Sequence, residues 1–210
     1  VIMICDILSD ANGWGWDPDR GRYNAVRDAL LKDNGPVLRE RVSSALQYLA
    51  SHVPQVDRHR LAAMGWCLGG QPLLELATLP RENHTDYTIQ AMISFHGVFA
   101  RESSLRLPPS HDTNDNDDTS SLSKTVLICN GREDPFVTPA DLEVAMDFFT
   151  NCGYKVELLQ LSNAKHGFTN PAQVHNTNPA FGFCQEGSAL SWTKSQELLQ
   201  QALFEQKQNL

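Results

Sequence analysis

The stretch Gly65-Trp66-Cys67-Leu68-Gly69-Gly70 constrains this chain more than any other. It stands between two apolar runs, Leu61 to Met64 and Pro72 to Ala77. A short strand, a residue flanked by glycines and then a helix make a sharp bend that holds a nucleophile up for attack. A side chain at either flanking glycine is expected to collide with the neighbouring strand or helix. The bend places the Cys67 sulfur clear of a sheet, at the mouth of a helix whose free N–H groups favour an anion such as a thiolate. A lone Cys is more often a small buried hydrophobe; three glycines in these places argue against that here.

Partners for Cys67 follow in order. Val126-Leu127-Ile128-Cys129 reads as a short buried strand running into Asn130-Gly131-Arg132-Glu133-Asp134-Pro135. Tyr154 to Leu161 carries apolar residues at alternating positions, so it reads as a strand, and it ends in Ser162-Asn163-Ala164-Lys165-His166-Gly167-Phe168. The order nucleophile, acid, histidine is that of an α/β-hydrolase. In such a trio His166 takes the thiol proton and later protonates the leaving group. Asp134 fixes the imidazole tautomer, and Cys67 attacks an acyl carbon. Each residue also has a plainer reading. Asp134-Pro135 is a common turn start, Glu133 competes as the acid, and most lone histidines are structural or solvated. His96 closes the apolar run Ala91-Met92-Ile93 and is the second choice for the base. It precedes the acid strand, which breaks the order, and so reads as a wall of the pocket.

Gly65 to Gly70, Gly131-Arg132-Glu133-Asp134-Pro135 and His166-Gly167-Phe168-Thr169-Asn170-Pro171 together resemble the dienelactone hydrolase family. Ser94-Phe95-His96-Gly97 and the stretch Phe181 to Trp192 are similar to further parts of that family. The resemblance covers essentially the whole chain. It implies one α/β-hydrolase domain over residues 1–210: a doubly wound, mostly parallel sheet with helices on both faces. It also implies no metal, no cofactor and a Cys67-Asp134-His166 triad that opens lactones, esters or thioesters. The Leu68 N–H would be one oxyanion-hole donor, since the residue after the nucleophile supplies it in this fold. Trp14, Trp16, His96, Phe136 and Phe168 are the expected pocket residues.

Two features depart from the family pattern. Val1-Ile2-Met3-Ile4 reads as a buried strand that in the family follows a first helix, so earlier strands and the second oxyanion donor are expected upstream. Loss of one such donor costs roughly a hundredfold in turnover, and the 210-residue chain alone is expected to be unfolded or nearly inactive. The second departure is Asn170. Dienelactone hydrolases proper place an Arg there to hold the substrate carboxylate, which makes a dienelactone a less favoured substrate. Arg20, Arg22 and Arg27 are the candidates to supply such a charge from elsewhere.

Composition excludes other classes. The net charge of −8 disfavours a nucleic-acid partner, and no apolar run approaches the roughly 18 residues of a membrane span. Five cysteines without a C-x-x-C pair suggest reduced thiols and a cytoplasmic setting. Asn83-His84-Thr85 is a glycosylation sequon of the kind that arises by chance.

The rest alternates strands and helices. Ser9 to Gly35 reads as a long loop. A helix follows from Pro36 with Leu38, Val42, Ala45, Leu46 and Leu49 at helical spacing. Residues 101–124 read as an acidic insertion whose His111 to Asp118 centre lacks the glycine and glutamate of a calcium loop. Thr138-Pro139-Ala140-Asp141 opens a helix as a capping box, with Leu142, Ala145, Met146 and Phe149 buried and Gly153 just past its end. A last helix spans about Ser188 to Phe204. Two other functions fit the same residues: a non-catalytic binding scaffold, and a redox sensor in which Cys67 is oxidised rather than acylated.

Overall fold

The computed structural model describes residues 1–8, 20–32, 35–82, 87–99 and 124–204. Trp14, Trp16, the sequon at 83–85 and the acidic insertion at 101–123 lie outside them. The described residues form two compact units, one drawn from residues 1–57 and the other from residues 58–204.

The first unit is helical. Helix α1 spans Arg20–Leu31, where a loop was expected, and packs against α2, Pro36–His52. Gly35 takes a left-handed φ of 70° ahead of α2, and Pro36 sits in its first turn, where a missing N–H leaves no intrahelical bond unmade. Leu38, Val42 and Leu46 are the buried stripe of α2. Val1 to Ile4 do not form the expected buried strand: they are irregular, and Ile2 and Ile4 are each 93% exposed. An apolar run becomes a strand only beside another strand that completes its hydrogen bonds, and this segment has no ladder partner among the described residues.

The second unit is a four-stranded parallel sheet in the order β1 (Leu61–Trp66), β2 (Ile89–Phe95), β3 (Thr125–Gly131) and β4 (Lys155–Leu161). Strands β1, β3 and β4 are each followed by a helical segment, the kind of crossover that joins parallel neighbours. Strands β2 and β3 are buried along their whole length, whereas β1 and β4 are partly exposed. A fully covered parallel strand reads as a continuous apolar run, which is what Ala91 to Ile93 and Val126 to Cys129 present. Helices α3 (Gly70–Glu82) and α4 (Pro139–Asn151) pack together on one face. Helix α5 (Gln185–Leu203) covers the other, where Leu198 and Leu199 meet a core of Ile93, Phe95, Leu127, Cys129, Leu161, Ala164 and Phe168.

Helix α4 starts on a reciprocal capping box. Asp141 N–H donates to Thr138 Oγ1 at 3.2 Å and Thr138 N–H donates to Asp141 Oδ2 at 2.8 Å. It buries Phe148 with Leu142, Ala145 and Phe149, while Met146 is only half-buried. Gly153 ends it with φ 81°, a conformation that other residues reach only with strain.

Candidate active site

Three turns at the carboxyl ends of β1, β3 and β4 hold the candidate residues Cys67, Asp134 and His166. The first leaves β1 at Trp66 and winds through a single 3-10 turn, Cys67–Gly69, into α3. Cys67 has φ 53°, in the left-handed region that L-residues avoid. A bend this sharp demands glycine where the backbone folds on itself. A Cβ on Gly65 would fall on the Gly69 carbonyl oxygen, and one on Gly70 would lie 2.9 Å from the Val98 carbonyl oxygen. The expected collision at Gly69 is absent, with nothing within 4 Å of a Cβ there. The second close approach of the bend is thus made by Gly70, one residue further on. Val98 N–H donates to the Cys67 carbonyl at 2.9 Å and fastens the bend to the loop after β2.

The second turn follows β3. Arg132 N–H bonds the Leu161 carbonyl at 2.9 Å and Glu133 N–H the Ala164 carbonyl at 3.1 Å, so this turn is bound to the one after β4. Gly131 permits the approach, since a Cβ there would fall on the Ala164 carbonyl. The Asp134 side chain is fully buried. Its Oδ1 accepts from Phe136 N–H at 2.9 Å. Its Oδ2 meets His166 Nδ1 at 2.8 Å. Glu133, the competing acid, is exposed.

The third turn presents His166, whose side chain is 3% exposed. Its backbone is bracketed by a distant segment: His166 N–H donates to the Ala180 carbonyl at 3.1 Å and Gly182 N–H to the His166 carbonyl at 3.2 Å. The ring's Nε2 lies 3.1 Å from Cys67 Sγ. The structure thus brings Cys67, His166 and Asp134 into one hydrogen-bonded chain. Burial pulls the His166 pKa down, but the hydrogen bonds and charges of Asp134 and Cys67 outweigh it and raise it to about 9.

Phe136, Phe181 and His96 surround this imidazole, with ring centroids 5.0, 5.3 and 4.9 Å away. His96 is 5% exposed, has φ 39°, and its Nε2 lies 3.1 Å from Thr169 Oγ1. Burial is the main cause, and the nearby His166 the second, of a pKa lowered to about 4, so the ring is neutral near pH 7. Phe168 does not line an open pocket. It has no exposed surface and belongs to the core, because it points from its turn into the face covered by α5. Leu68 is half-buried in the first turn of the bend, where backbone N–H groups have no intrahelical acceptor. Asn170 accepts from Ala172 N–H at 3.0 Å and so caps the short turn Pro171–His175. Arg27 is paired with its neighbour Asp28 at 2.7 Å on α1. Thr169 and Phe181 are contacts the sequence did not single out. Phe181 stands fifteen positions beyond His166, and no spacing rule links them.

Among the described residues no group of three or more His, Cys, Asp or Glu side chains could hold a metal ion. No helix among them is long and apolar enough to cross a membrane. All five cysteines are free thiols.

A parallel sheet with a glycine-built strand-to-helix bend, and an acid and a histidine after later strands, defines an α/β-hydrolase. Residues 17–203 match the model of the dienelactone hydrolase family. This chain belongs to that family. Similar solved structures include m3DLH, 27% identical with a TM-score of 0.71, covering 92% of this chain and 73% of that one. A dienelactone hydrolase-like promiscuous phosphotriesterase from metagenomic libraries is 26% identical with a TM-score of 0.70, over 93% of this chain and 72% of that one. An uncharacterised protein of Caenorhabditis elegans is 25% identical over 173 residues, 82% of this chain and 99% of the relative. The family and these neighbours support a hydrolase.

Proposed function

We propose that this chain hydrolyses a carboxylic ester, lactone or thioester through an acyl-enzyme at Cys67. The observation that carries the reading is the continuous hydrogen-bonded chain, Cys67 Sγ to His166 Nε2 at 3.1 Å and His166 Nδ1 to Asp134 Oδ2 at 2.8 Å. His166 Nε2 holds the proton taken from Cys67 while the sulfur bonds to the acyl carbon, and the carbonyl electrons move onto oxygen. The Leu68 N–H is the donor assigned to that oxyanion. When the carbonyl re-forms, the carbon–oxygen bond to the leaving group breaks and His166 returns its proton to the departing oxygen. A water then enters. His166 removes its proton, the hydroxide adds to the thioester, and the sulfur leaves as the thiol. Asp134 holds Nδ1–H throughout, which keeps Nε2 free to accept and stabilises the imidazolium.

A phosphotriester is a second electrophile within this reading, supported by the 26% identical phosphotriesterase. The sulfur would then bond to phosphorus in place of carbon. The test is Cys67→Ala with a small aryl ester, alongside mass spectrometry of the wild type during turnover. Expected are loss of turnover in the variant and an added acyl mass on the Cys67 peptide. Undiminished turnover by Cys67→Ala would remove the reading.

A further inference from the structure

Two phenyl rings lie against the reacting imidazole, and one of them is open to solvent. Phe136 is 46% exposed, although its ring centroid is 5.0 Å from that of the buried His166. Phe181 is half-buried and stands 5.3 Å from both other rings. An exposed aromatic is ordinary when isolated. Here two aromatics share one edge of a group that handles protons.

Both rings are held by the elements that hold the site. Phe136 N–H donates to the Asp134 carboxylate that orients His166. Phe181 lies in the segment whose Ala180 carbonyl and Gly182 N–H bracket the His166 backbone. Their backbones are therefore tied to the turns that hold His166 before a substrate arrives, which favours a preorganised surface.

We propose that Phe136 and Phe181 form the seat for the leaving-group half of the substrate, and that they select apolar, preferably aryl, alcohol or thiol portions. The inference rests on the hydrolase reading above. In that reading His166 Nε2 gives its proton to the departing oxygen or sulfur, which needs hydrogen-bond reach, about 2.6–3.2 Å for oxygen. The substituent on that atom begins one bond further out. It therefore falls in the shell around the imidazole that the two phenyl rings occupy. The acyl half is bonded to Cys67 and takes a different direction from the carbonyl carbon. Aromatic pairs favour offset or edge-to-face packing with centroids about 4.5–7 Å apart, so an aryl group suits these rings, and covering Phe136 removes apolar surface from water.

The test compares kcat/KM of wild type, Phe136→Ala, Phe136→Leu and Phe181→Ala on three esters: phenyl acetate, phenyl butyrate and trifluoroethyl acetate. Each variant is expressed relative to wild type on the same ester, which cancels intrinsic reactivity. Phe136→Ala is expected to lose about tenfold or more on both phenyl esters and less than threefold on the trifluoroethyl ester. Phe136→Leu, which keeps apolar bulk, is expected to fall between. An equal loss on all three esters would mean that the rings merely brace His166 and would overturn the inference. A loss that follows the acyl chain would overturn it too, by assigning the seat to the acyl half. Hydrolysis that depends on Cys67 but is indifferent to Phe136 and Phe181 sinks this inference alone. No wild-type hydrolysis of any of the three sinks the hydrolase reading and this inference with it.

Discussion

The Cys67 sulfur lies 3.1 Å from His166 Nε2 across a separation of 99 residues. The sheet register makes that contact. Trp66 is level with Phe95, Phe95 with Cys129 and Cys129 with Leu159, and β3 and β4 run on together to Gly131 and Leu161, so the turns all leave the same end of the sheet. A parallel sheet collects the loops at its carboxyl ends in this way, and three of those loops each supply one group.

The glycines of the bend are not equivalent. A Cβ on Gly65 meets the Gly69 backbone, which cannot move without unwinding the turn that carries Cys67. Gly65→Ala is expected to lower stability by about 1–3 kcal/mol, as overpacking does. Gly69 has open space around it and no left-handed φ. Gly69→Ala is expected to be neutral or to gain about 0.4–1 kcal/mol by restricting the unfolded chain. Urea unfolding of both variants checks the contrast, and equal losses would refute it.

Asp134→Asn tests orientation with little change of shape. The amide oxygen can still accept from Phe136 N–H. An NH₂ group then faces His166 Nδ1, so that nitrogen must accept and the ring proton moves to Nε2. In that tautomer Nε2 cannot take the thiol proton. Ester turnover is expected to fall by about ten-thousandfold. Activity within tenfold of wild type would show that Asp134 does not orient the ring.

Legibility in the sequence followed the range of the interactions. The bend at Cys67 and the cap at Thr138 are set by neighbours within a few residues, and glycine spacing or a capping pattern records them. The burial of β2 and β3 is written in their apolar runs. The order of Cys67, Asp134 and His166 was readable because parallel strands return each turn to the same end. What failed depended on distant partners. Val1 to Ile4 has strand composition but no strand beside it among the described residues. Helix α1 was hidden by the turn signals Asp17-Pro18 and Asp33-Asn34-Gly35 on either side. Phe168 and Phe181 both follow His166, yet one enters the core and the other flanks the imidazole. Only the fold of the chain between them decides which.

His96 gives the site an acid limit. Its ring is buried beside His166, Phe168, Thr169 and the nearby charge of Asp134, and its pKa is lowered to about 4. The unfolded chain takes up a proton at this residue near pH 6.5, whereas the folded chain does not until about pH 4. The contribution of neutral His96 is therefore intact above pH 6.5 and is lost as pH falls towards 4, by roughly 3 kcal/mol at about 1.4 per unit. His166 runs the opposite way. Its pKa is raised to about 9, so its contribution is intact below 6.5 and is lost as pH rises through 9. The two windows do not overlap, so one variant separates them. His96→Asn suits a left-handed backbone better than most residues and cannot titrate. Unfolding free energies measured at pH 7, 5.5 and 4.5 are expected to fall less steeply in His96→Asn than in wild type, while the loss above pH 8 stays the same in both. Parallel acid limbs in the two proteins would show that His96 is not the group that titrates.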